Sequence, residues 1–252
     1  MFTSNPFAGL SASIPPAVMQ AYVVIMIVLV AAGTLFDVVH KGSAKYFFEN
    51  RRKAKSKGAK RIDGAELVSI ALKTGLVDVL ASGEFCSARR RIAHLLTMYG
   101  FVIHVLATVA MVFDASASAI WVQLWWLGGL MVCAGGYWFW FFIRVDVSAE
   151  GHSPFRVMHA DLFVLSLLAS VTLGLVWAAA GGGAGVLFGL YLLAATVLFG
   201  SVPWSKFAHM FFKPAAAFEK RVSYADGTRS NLPAPADKPE QFGKARIHTQ
   251  HY

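Results

Sequence analysis

The chain has 252 residues, of which 56% are hydrophobic and only 15% charged, and its formal net charge is +9. So little charge among so many long apolar runs excludes an ordinary soluble domain and makes the bilayer the solvent for most of the chain. A pI near 9.7 would suit nucleic acid as a partner, but the basic residues sit on one side of every apolar run. That excludes nucleic acid and points to anionic headgroups and an acidic or cofactor-bearing partner.

Residues 1–17 carry no Lys or Arg. The first apolar run, 18–39, is too long for a signal-peptide core and lacks a small-residue cleavage site after it, so it is expected to stay as a transmembrane helix. Residues 40–91 form a basic loop with 13 Lys or Arg, among them Arg51, Arg52, Lys53, Lys55, Lys57, Lys60 and Arg61. Within it, 63–82 places Leu67, Ile70, Ala71, Leu76, Val77, Val79 and Leu80 at helical spacing and is too polar to cross. It is an amphipathic helix at the headgroup boundary, a docking surface, or a surface helix packed on the bundle; Gly83 ends it.

Four further apolar runs follow, at 92–113, 120–143, 159–180 and 186–207. Together with the first they predict an all-α integral membrane bundle of five transmembrane helices, residues 92–210 forming its four-helix, histidine-bearing region. The aromatic stretch Tyr137 to Phe142 suits an interfacial belt or the wall of a quinone pocket. Residues 211–252 make a polar tail. Beyond Phe218, Pro233, Pro235, Pro239 and scattered charge argue for a loose segment or an extended strap on another protein.

The tail from Lys206 holds eight basic residues and the connection between the third and fourth spans holds Arg144 and Arg156, which with the 13 of the loop make all 23. The turns 114–118 and 181–185 hold none. Because basic residues stay cytoplasmic, the N-terminus is expected outside and the C-terminus inside, and five crossings satisfy both. Cys86 in the loop and Cys133 in the third span are too few for an iron–sulfur or zinc set.

Histidines carry the chemistry. His40, His152, His248 and His251 fall at span ends or in polar segments, whereas His94, His104, His159 and His209 fall in or beside spans. Imidazole in hydrocarbon needs a partner, and neutral imidazole is a common axial ligand of haem iron. His94 and His104 are ten residues apart on one helix, about 15 Å in depth. Gly100 between them would make room for a flat macrocycle or for a close-packed helix. His94 and His209 lie at similar inner depth on helices that enter and leave at one face, the geometry of a six-coordinate haem b. Arg91 and Lys206, each three residues before one of them, suit haem propionates. His159 opens the fourth span on the same inner side, and His104 lies deeper.

The run PWSKFAHMFFKP, residues 203–214, and the ten-residue spacing of His94 and His104 resemble the membrane cytochrome b subunit of respiratory nitrate reductase. The tail from Pro214 to Gly243 is more similar still to a sulfur-metabolism branch: the membrane anchor of adenylylsulfate reductase and the membrane subunit of the quinone-interacting oxidoreductase that partners it. The resemblance covers the second to fifth spans and the tail. It implies a subunit of the bacterial cytoplasmic membrane that exchanges electrons between a cytoplasmic flavin/iron–sulfur enzyme and quinone. It also implies that His94 and His209 ligate an inner haem and His104 an outer one. The family's fourth ligand lies eighteen residues before the last histidine, where this chain has Tyr191. One haem is thus expected, and a second only if His159 replaces the missing ligand. The other reading is a haem-free membrane anchor for a soluble enzyme. A permease is disfavoured by the scarcity of acidic residues in the spans.

Overall fold

A computed structural model describes residues 3–40, 49, 52, 60–83, 85, 87–144, 157, 161–205 and 209–228, with the backbone alone at His209 and Phe212. The helices are α1 (Pro16–His40), α2 (Gly64–Lys73), α3 (Ala88–Phe113), α4 (Ala119–Trp138), α5 (Leu162–Ala179), α6 (Val186–Gly200) and α7 (His209–Ala225). α2 runs on into a π-helical stretch, Thr74–Leu80, and α4 into a π-helical turn, Phe139–Ile143. No strand occurs among the described residues. α1, α3, α4 with its π turn, and α5 are long and apolar enough to cross a membrane, and they fall within a few residues of the expected first four spans.

The fifth run behaves differently. α6 has 15 residues, about 22 Å of helix against roughly 30 Å of hydrocarbon. The sequence predicts one helix over 186–207, but the chain leaves it at Ser201 and makes a 3-10 turn over Val202–Trp204 that contains Pro203. Proline has no N–H to donate and its ring clashes with the carbonyl one turn back. His209 therefore opens α7 instead of closing the fifth span. α7 in turn continues to Ala225 with Val222 only 2% exposed, so residues 219–225 are a packed helix and not part of a loose tail.

Glycine sets the tightest contact in the bundle. A Cβ on Gly128 of α4 would lie 2.7 Å from the Gly100 carbonyl oxygen and 2.7 Å from the His104 nitrogen, and one on Gly135 would lie 2.6 Å from the Ala93 carbonyl oxygen. The backbones of α3 and α4 thus touch directly, as small residues permit in membranes where dispersion replaces the hydrophobic effect between helices. Gly100 serves this packing; α4 fills the space beside it.

α5 and α6 form a helical hairpin. Its turn uses Gly181 and Gly182 at φ +102° and +70°, conformations that side chains disfavour, and Trp177 Nε1 closes it by donating to the Gly183 carbonyl at 2.9 Å. The end of the bundle at this turn is plugged by the N-terminal segment, which the sequence leaves as a mere extension. Phe7 inserts its ring 5.1 Å from Trp177 and 6.1 Å from Trp125, and Asn5 Nδ2 donates to the Met111 carbonyl at 3.0 Å. At the opposite end Arg144 clamps Asp161 with two nitrogens and lies 3.8 Å over the Trp140 ring, joining the C-terminal end of α4 to the N-terminal end of α5. α1 packs on α6 and on the turn after it, with Gly33 against Val202 and Pro203.

Candidate functional site

His104 is held deep between α3 and α4. It is 5% exposed; its Nδ1 lies 2.9 Å from the Trp125 carbonyl oxygen, and its ring stacks on the Trp125 indole at 4.7 Å. Gly129 opens this seat, since a Cβ there would stand 3.2 Å from Nδ1. A carbonyl oxygen can only accept, so Nδ1 carries the proton. The neutral ring then bears its lone pair on Nε2, the tautomer of a metal-ligating histidine whose other nitrogen is oriented by a backbone carbonyl.

Around His104 the polar groups interlock. Thr108, one turn further, donates to the His104 carbonyl at 2.7 Å and accepts from Trp125 Nε1 at 2.9 Å. Tyr191, the residue at the position of the missing fourth ligand, is 8% exposed and stacks on Trp177 at 5.8 Å. Nearby, Tyr22 of α1 donates to the Leu192 carbonyl at 3.1 Å and bonds Thr196 at 3.0 Å. A phenol at 191 thus packs α6 on α5 where the sequence pattern would place an imidazole.

His94 is half-buried near the N-terminal end of α3. Its Nδ1 meets Ser82 Oγ at 3.0 Å and its ring packs 4.8 Å from Phe85. Arg91 Nε donates to the Ala81 carbonyl at 2.7 Å, and Tyr99 OH to the Leu80 carbonyl at 2.7 Å. The face of α3 that the sequence offers to haem and propionate therefore also receives the end of the π-helical stretch. These partners lie across a loop of unforeseeable course, so sequence spacing could not reveal them.

His159 and Lys206 lie outside the described residues, and of His209 only the backbone at the start of α7 is described. The facing pair His94 and His209 is consequently placed by one member. His40 is exposed and stacks on Phe36 at 4.8 Å. Among the described residues no cluster of three or more His, Cys, Asp or Glu could hold a bare metal ion. Sequence reasoning overlooked Asp37, which is 3% exposed in the C-terminal half of α1. An acid two residues from the end of a run reads as interfacial, and its burial comes from tertiary packing that spacing does not show.

Beside the N-terminal end of α3, α7 docks on α2 and the π-helical stretch after it. Arg221 grips Asp78 through Nε at 2.5 Å and Nη2 at 2.8 Å, and the Lys60 amide donates to the Asp226 carbonyl at 2.9 Å. The guanidinium holds the Asp78 carboxyl below the usual carboxylate range. A depressed folded-state value means the pair contributes fully above the unfolded value and is lost as pH falls through the folded one. Protection of 60–80 from hydrogen exchange is therefore expected to be constant from neutrality to about pH 5 and to fall only in stronger acid. Asp78→Asn should lower protection at neutral pH and abolish that acid transition; an acid transition unchanged in the variant would refute the assignment. Searched against models of protein families, curated proteins and solved structures, the chain finds no match.

Proposed function

We propose that the chain is a five-crossing electron-transfer subunit, N-terminus outside and C-terminus cytoplasmic, that binds haem b and links a cytoplasmic flavin/iron–sulfur oxidoreductase to membrane quinone. The observation that carries it is the His104 tautomer: a buried imidazole in the apolar bundle with Nδ1 committed to a carbonyl and its lone pair on Nε2. His94 has its Nδ1 on an oxygen as well. This donor chemistry fits haem, which would supply a one-electron centre within the bilayer. The chain's own residues would orient the imidazoles and exclude water around them.

The fifth crossing rests on α6, antiparallel to α5 through the glycine turn, extended by the Val202–Trp204 turn against α1. The orientation rests on basic residues gathered at one set of helix ends. The resemblance to the adenylylsulfate reductase anchor makes that enzyme the proposed partner, docking on the basic inner face, with the chemistry on sulfite and AMP residing in the partner and the membrane of residence being the bacterial cytoplasmic one.

A specific observation favours the second reading, a haem-free anchor. His104 is stacked on Trp125 and sits in a network that also engages Thr108, which is how a polar residue glues helices without any cofactor. The deciding measurement is a dithionite-reduced minus oxidised spectrum of the chain purified from haem-supplied cells. Sharp b-type bands are expected; their complete absence would leave the haem-free anchor.

A further inference from the structure

α2 and the π-helical stretch after it present two opposite faces. Ile70, Thr74 and Asp78 recur every four residues, and this face meets α7: Thr74 is 4% exposed and Asp78 is gripped by Arg221. Val68, Leu72, Leu76 and Leu80 recur every four residues two positions away, about 200° round the helix. They are 60%, 61%, 61% and 48% exposed. A four-residue repeat drifts one way round an α-helix of about 3.6 residues per turn and the other way round a π-helix of roughly 4.4. Joining the two at Thr74 keeps all four side chains in one stripe.

The stripe lies against the membrane-spanning part of the molecule. Leu80 and Ala81 are bonded to Tyr99 and Arg91 of α3. Tyr99 is about two turns deeper than Arg89, Arg90 and Arg91, which mark the headgroup level. The exposed apolar side chains of the stripe thus continue the exposed surface that α3 itself shows at Ile92 and Tyr99. Cations flank it: Lys60, Arg61 and Lys73 are exposed. Between α2 and α7 a cleft of about 440 Å³ has Lys73, Arg221 and Tyr224 around an apolar floor that includes Ile70.

We propose that residues 64–80 lie in the inner headgroup layer, with the stripe Val68, Leu72, Leu76 and Leu80 among acyl chains and the Lys73 cleft seating the phosphodiester of an anionic phospholipid. An amphipathic helix with a cationic rim binds anionic interfaces in this manner. This holds whether or not the chain carries haem. It gives the basic loop a lipid partner and leaves Glu66, opposite the stripe, facing water.

Site-directed spin labelling of the full chain in nanodiscs tests it. With Cys86 and Cys133 replaced by Ser, labels are placed through Leu72→Cys, Leu76→Cys and Glu66→Cys, in discs of phosphatidylcholine with and without phosphatidylglycerol. The labels at 72 and 76 should be more accessible to oxygen than to a water-soluble nickel chelate, and the label at 66 the reverse. By native mass spectrometry, Lys73→Gln should retain about half or less of the phosphatidylglycerol that the parent chain retains. Labels at 72 and 76 open to nickel, or shielded from both reagents as under a second protein surface, overturn the proposal. So does equal lipid retention by Lys73→Gln.

Discussion

If the chain carries haem as proposed, replacing His104 by Ala is expected to abolish the b-type absorbance of the centre it would ligate while leaving the chain inserted and helical. With Nδ1 committed to the Trp125 carbonyl at 2.9 Å, the imidazole keeps its lone pair on Nε2 for iron. The variant leaves that carbonyl without its donor and opens space beside Gly129, which costs about 1–3 kcal/mol of bundle stability. Trp125→Phe separates the two effects. It deletes the indole N–H that reaches Thr108 at 2.9 Å and so costs stability, but the backbone carbonyl that orients His104 is untouched. Haem at the His104 level should survive in Trp125→Phe and be lost in His104→Ala, while an inner haem held by His94 should persist in both. Equal haem in both variants would show that His104 is structural glue.

The same comparison extends to His94. His94→Ala should release Ser82, loosening the end of the π-helical stretch, in addition to any loss of haem. Ser82→Ala loosens the stretch alone, which makes it the control for His94.

The legible part of this molecule is the part dictated by solvent. Apolar runs of about 20 residues must be helices in a bilayer, so α1, α3, α4 and α5 were readable from length alone, as was an amphipathic segment ending near Gly83. The fifth run misleads because hydropathy does not register a main-chain event. Pro203 sits among apolar residues, yet it ends the ladder and turns His209 into the start of another helix. Tertiary partners are the other illegible class. Nothing in the spacing of Arg91, His94 and Tyr99 shows that all three turn to Leu80, Ala81 and Ser82. The burial of Phe7 and Leu10 among the helices, 7% and 1% exposed, could not follow from a short segment with no period of its own. Tyr191 is the instructive case. The sequence marks it as a departure from a histidine pattern, and the fold buries its ring against Trp177, a packing role that needs no iron.

Gly128→Ala is expected to be among the most damaging single-methyl additions possible in this chain. The new Cβ would stand 2.7 Å from both the Gly100 carbonyl oxygen and the His104 backbone nitrogen. Neither is a flexible side chain that can swing away, so α3 and α4 must move apart along their closest approach. Separation forfeits dispersion contacts, the main attraction between helices in lipid. It also pulls the Trp125 carbonyl from His104, because residue 125 is less than one turn from Gly128 on the same helix. The cost is about 1–3 kcal/mol, and more for Val or Leu at the same position. Gly189→Ala is the matched control: it is also a glycine in an apolar helix of the bundle, but nothing lies within 4 Å of its added Cβ. Its thermal stability in detergent should equal or exceed that of the parent, since alanine favours helix by up to about 1 kcal/mol over glycine. If Gly128→Ala melts with Gly189→Ala and the parent, the backbones of α3 and α4 do not touch at Gly128, and the seat that holds His104 is built differently.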